Sequence, residues 1–170
     1  GEYAYMGQLL LQGVPPYRDA YSMKFPGIYA VYALIMAVFG QSHTGIHLGL
    51  LCVNLATMAM IFFLGNLLFD RWTGLFACVS YGLMSLSPAI EGVWANSEHF
   101  VVLTALGGIL LLFKYLKKRK AGYLVLCGLC MGATLLIKQH GFLFVVFVSA
   151  YLLLSLLKDR STSWSRVAMH

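Results

Sequence analysis

Lys138 and His140 interrupt a long apolar run with only one residue between them, and Glu98 and His99 stand together at the start of another. An ionisable side chain beside hydrocarbon is costly, so by default it marks a place where a ligand, a partner or a water-filled cavity offsets its desolvation. A second group precedes these in the chain: Glu2 and Tyr3, then Arg18 and Asp19, then Lys24, in a segment rich in Tyr and Pro. For any one of these residues a plainer reading stands beside the functional one, since a long charged side chain can snorkel into headgroups or pair with a neighbour. Their accumulation is what calls for chemistry.

Other candidates are weaker. Cys127 and Cys130 form a CxxC, but inside an apolar stretch they lack the aqueous access and thiolate stabilisation that redox work requires, and packing is the better reading. Gly128 with Gly132, and Gly45 with Gly49, are GxxxG pairs that let helices approach closely. His43 and His47 are four apart, without the intervening carboxylate that a His-Glu-x-x-His pattern supplies, and no metal site or other cofactor is assigned from the sequence. The run 117–120, Lys-Lys-Arg-Lys, reads as an anchor attracted to anionic lipid.

These residues must be positioned by elements that live in a bilayer. Hydrophobic residues make up 60% of the 170 positions and charged residues 11%, against about 45–50% and about 25% in a soluble domain. The formal charge of +6 comes as short basic runs between apolar stretches rather than along one polar face, which argues against nucleic acid. A hydrocarbon core about 30 Å thick needs roughly 17–25 apolar helical residues. Five stretches, 46–69, 73–90, 100–116, 121–137 and 141–157, are expected to span, making an all-α polytopic membrane protein. The shorter stretch 27–39, opened by Pro26 and closed by Gly40, suits an interfacial or re-entrant helix. Residues 3–12 are expected to form an amphipathic helix on the membrane surface, stopped by Gly13, Pro15 and Pro16.

The chain therefore divides into an external loop with juxtamembrane helices (1–45), a five-helix membrane region (46–158) and a cytoplasmic tail (159–170). Sidedness follows from the basic residues. Arg71, Lys114, the run 117–120, Lys158, Arg160 and Arg166 fall on one side and belong in the cytoplasm. Arg18, Lys24 and Lys138 fall on the other, with Glu2, Asp19, Glu91, Glu98, His43, His47, His99 and His140. The location expected is the cell inner (plasma) membrane. No initiator Met or signal-peptide pattern opens the chain, so the natural N-terminus is expected upstream.

Gly1-Glu2-Tyr3-Ala4-Tyr5, Gly13-Val14-Pro15-Pro16-Tyr17-Arg18-Asp19 and Lys24-Phe25-Pro26-Gly27, followed by an apolar helix closing at Phe39-Gly40, together resemble the first external loop of GT-C type membrane glycosyltransferases. The nearest pattern is the bacterial branch similar to protein O-mannosyltransferases and the lipid A aminoarabinose transferase (glycosyltransferase family 39-like). Ala95-Asn96-Ser97-Glu98 and the small-residue run from Gly132-Ala133-Thr134 to Ile137-Lys138 agree with it.

The resemblance implies transfer of a sugar from a polyprenyl-phosphate carrier to an acceptor at the outer membrane face. The family's base is an Asp in an Asp-Glu-x-x-Tyr pattern; Tyr3 matches that Tyr, which puts the Asp two residues before Gly1, and the 170-residue chain alone should be inactive. Lys24 matches a Lys before Pro implicated in holding the carrier phosphate. Arg18 and Lys138 are further cations for that phosphate, whose charge water stabilises poorly near a membrane. Glu98 and His99, with Asp19, Glu2, Tyr3 and His140, complete the expected substrate-binding set. Glu2 stands where the aminoarabinose branch has Arg, and Met23 where it has a metal-associated Glu, which counts against that activity and against its metal. The competing readings are a transporter or channel, for which inverted repeats and mid-bilayer charges are expected, and a non-catalytic membrane scaffold.

Overall fold

The computed structural model describes residues 1–18, 22–88 and 92–167, with side chains to residue 158, and every regular element among them is helical. Helix α1 (Glu2–Leu11) is followed by Gly13, at a left-handed φ of +80°. Helix α2 (Pro26–Phe39) begins on a proline, whose fixed φ suits the first turn, and stops at Gly40, φ +89°. Helix α3 (His43–Leu68) is capped by Ser42, whose hydroxyl accepts from the Gly45 amide at 3.0 Å. Helix α4 (Arg71–Ser85) is capped by Asp70, which accepts from the Thr73 amide at 2.8 Å. Helices α5 (Ser97–Lys118) and α6 (Ala121–Ile137) form a hairpin that turns through Arg119 at φ +53°. A short 3-10 helix (Gln139–Gly141) leads into α7 (Phe142–Val167).

Among the described residues three helices are long and apolar enough to cross a membrane: His43–Leu68, Ser97–Lys118 and Gln139–Lys158. The first, at 26 residues, runs about 39 Å at 1.5 Å per residue, comfortably more than a hydrocarbon core. Helix α6 is apolar but only 17 residues long, about 26 Å. The span expected over 73–90 is also shorter: α4 has 15 residues and ends at Ser85, while positions 89–91, including Glu91, lie outside the described residues. The first membrane helix starts three residues before the expected boundary at 46, because the Ser42 cap takes His43 into its first turn.

Helix α2 is more enclosed than a surface helix. It packs on α1, α3 and α6, burying Ile28, Tyr29, Tyr32, Ile35 and Met36 with Met6 of α1 and Phe100 and Val101 of α5. The approach to α1 is at backbone distance, since a Cβ on Gly7 would lie 3.0 Å from the Ala33 amide nitrogen. A second core joins α5, α6 and α7 through Leu112, Cys127, Met131 and Val148. Of the two GxxxG pairs, Gly49 lets α3 close on Ile35 of α2, whereas a Cβ on Gly128 or Gly132 would meet nothing within 4 Å. Trp72, Phe76 and Leu83 of α4 and Leu143 and Leu154 of α7 are exposed, as lipid-facing side chains are.

Candidate functional site

The ends of several elements meet at one end of the bundle, and close backbone contact sets their spacing. Gly27, in the first turn of α2, abuts the last turn of α6: a Cβ there would stand 2.5 Å from the Leu136 carbonyl and 2.7 Å from the Ile137 amide nitrogen. The segment before α2 is thereby held beside the segment after α6. Lys24 and Lys138 consequently line one cavity of about 230 Å³, together with Tyr3, Ser97 and His140.

Hydrogen bonds centred on Ser22 tie the loop before α2 to α1 and to α2. The Ser22 hydroxyl donates to Glu2 Oε1 at 2.5 Å and accepts from the Tyr29 hydroxyl at 2.5 Å and from the Lys24 amide at 3.2 Å. The Tyr17 hydroxyl donates to the Lys24 carbonyl at 2.5 Å. Backbone and neighbours of Lys24 are thus fixed, while its exposed ammonium has no carboxylate partner among the described residues. Lys138 differs, for its Nζ forms an ion pair with Glu98 Oε1. Glu98 also accepts from the Ser97 hydroxyl at 3.1 Å.

A second cavity of about 370 Å³ lies against the first. Glu2, His43, His47, Trp94 and Asn96 line it, and Tyr3 is a wall of both. Tyr3 meets Tyr32 edge-on, centroids 5.6 Å apart, and Tyr29 at 6.4 Å. Tyr32 is buried, and its hydroxyl donates to the Ala95 carbonyl at 2.5 Å, holding the segment before α5 against α2. Burial pushes its phenol up to about 12, so it remains a donor at neutral pH. Charge is segregated between the compartments: the smaller carries two lysines and a histidine, the larger a carboxylate and two histidines without a Lys or Arg side chain.

The structure therefore brings together Tyr3, Lys24, Lys138 and His140 in one cavity, with Glu98 attached through Lys138, and puts Glu2 in the next. Exposed Arg18 and half-buried His99 line neither. Asp19 lies outside the described residues. Sequence reasoning missed Ser22, whose hydroxyl joins Glu2, Tyr29 and Lys24, and it missed the second cavity; the spacing of His43 and His47 was its one visible sign. Cys127 is buried and Cys130 half-buried, both unpaired, as packing residues should be.

Among the described residues the regular structure is all helical, three helices are of lipid-crossing length and charged side chains gather at the helix ends, as in a multi-pass membrane protein. Residues 23–169 match the family model described as Dolichyl-phosphate-mannose-protein mannosyltransferase, and the chain belongs to that family of GT-C membrane glycosyltransferases. No curated protein and no solved structure matches it.

Proposed function

We propose that the cavity of Lys24, Lys138 and His140 receives the phosphate of a polyprenyl-phosphate-linked sugar, and that the sugar passes to an acceptor at the outer face of the cell membrane. The observation that carries this reading is the convergence of Lys24, before α2, and Lys138, after α6, on one cavity. As the carrier phosphate departs it gains charge, and fixed cations in a site of low dielectric stabilise that charge far better than water does. Lys24 does most of this, since its ammonium has no carboxylate partner among the described residues; Lys138 already shares its charge with Glu98. His140 supplies a further hydrogen bond. The general base, on the family resemblance, is an Asp two residues before Gly1.

The outward orientation rests on the opposite end of the bundle. There the turn between α5 and α6 holds the run 117–120, with the Lys118 Nζ 5.8 Å from the Tyr123 ring centroid and the Arg119 guanidinium 6.0 Å from that of Tyr115. Basic clusters flanked by aromatic rings at a membrane boundary favour the cytoplasmic side. The test is lipid-linked sugar transfer by the protein with its flanking sequence. Lys24→Ala should lower the rate about a hundredfold, and transfer at an unchanged rate would remove the phosphate role from Lys24.

A further inference from the structure

The larger cavity contains a pair of side chains that the donor reading leaves unused. His43 and His47 occupy the first turns of α3, one helical turn apart, and their Nε2 atoms are 3.2 Å apart. Their ring centroids are 4.3 Å apart with the planes inclined by 54°, so the rings lean towards each other and the Nε2 atoms form the converging tips. Zinc binds imidazole nitrogen at about 2.0–2.1 Å, and at a tetrahedral angle two such nitrogens stand about 3.3 Å apart. The observed separation falls within about 0.2 Å of that span.

From this geometry we propose that His43 and His47 chelate a divalent transition-metal ion of the zinc class through Nε2. The surroundings suit a cation: Glu2 lines the same cavity, and Lys24 and Lys138 line the other one. Among the described residues no third His, Cys, Asp or Glu joins the pair to make a three-ligand cluster. The site is therefore open, with its remaining positions facing about 370 Å³ of cavity, where water or an oxygen of a bound molecule completes the shell. Two protein ligands make it weaker than a closed four-ligand structural site. In the metal-free chain the same spacing serves a hydrogen bond between the two rings.

The experiment is titration of the full chain, free of any affinity histidines, with Zn²⁺ by calorimetry and with Co²⁺ by visible absorption. One saturable ion per chain is expected, and His43→Ala or His47→Ala should each weaken it at least about tenfold, because the second imidazole binds at high effective concentration once the first is engaged. A measurement on the unmodified chain guards against misfolded variants: Zn²⁺ should protect His43 and His47, rather than His99, from acylation by diethyl pyrocarbonate. No saturable binding, equal binding by a His43→Ala/His47→Ala double variant, or unprotected rings in the presence of Zn²⁺ would each overturn the site. Sugar transfer is not the readout, so the donor reading stands or falls separately.

Discussion

Lys138, the residue that ends α6, forms an ion pair with Glu98 in the first turn of α5 across a sequence separation of 40. The relative exposures of the two side chains are 29% and 60%, so solvent screens the pair and its worth to folding is about 0.2–1 kcal/mol. Its larger effect is on the cavity. Glu98→Gln should shift the thermal midpoint only slightly and strengthen binding of a polyprenyl phosphate, because the Lys138 ammonium is released. Lys138→Ala should weaken that binding. Equal weakening by both variants would show that the pair, and not the free ammonium, is what the ligand meets.

Gly27 offers a test of the framework. An added methyl would press on the backbone of Leu136 and Ile137, which cannot move as a flexible side chain can. Gly27→Ala should therefore destabilise the chain by about 1–3 kcal/mol, and it should lower phosphate affinity by moving Lys24 away from Lys138. Gly128→Ala, midway along α6, where a Cβ meets nothing within 4 Å, is the contrast: in a helix interior alanine gains up to about 1 kcal/mol over glycine. Melting curves of both variants in detergent give the comparison.

The α3–α4 turn carries a pH dependence. The Thr73 backbone amide, together with the Thr73 hydroxyl, holds the Asp70 carboxyl below its ordinary value of 3.8. A folded-state pKa lowered in this way adds stability that is fully present above the ordinary value and is lost as pH falls through the folded one. Asp70→Ala should thus melt below the unmodified chain at neutral pH, and the gap should close in acid. A gap independent of pH would leave the cap to the Asp70 backbone.

Sidedness has its own experiment. In intact cells, a membrane-impermeant maleimide should label Met23→Cys, a residue 83% exposed beside Lys24. Lys120→Cys should react only after permeabilisation. Labelling of both in one compartment would end the outer-face reading.

Where an element ends on a residue with a strong backbone preference, the sequence was legible: Pro26 and Gly40 bound α2 as expected, and α6 runs over the expected 121–137. It was less so at polar caps. Ser42 and Asp70 precede the spans expected from 46 and 73, yet each captures an amide and starts its helix two or three residues earlier. Apolarity in a bilayer says that a stretch is hidden from water but not which face meets protein, so the enclosure of α2 and the unpacked Gly128 and Gly132 were both invisible. Lys24, Lys138 and His140 were legible singly, through cost and resemblance. Their meeting in one cavity was not, since it depends on the contact between Gly27 and Leu136, and a pairwise contact of that kind leaves no mark on periodicity.

Tyr3 is a wall of both cavities and is wedged edge-on against Tyr32. The positively lined and carboxylate-lined chambers therefore have a residue in common, and it is an aromatic one. A ligand that displaced Tyr3 in either chamber would alter a wall of the other.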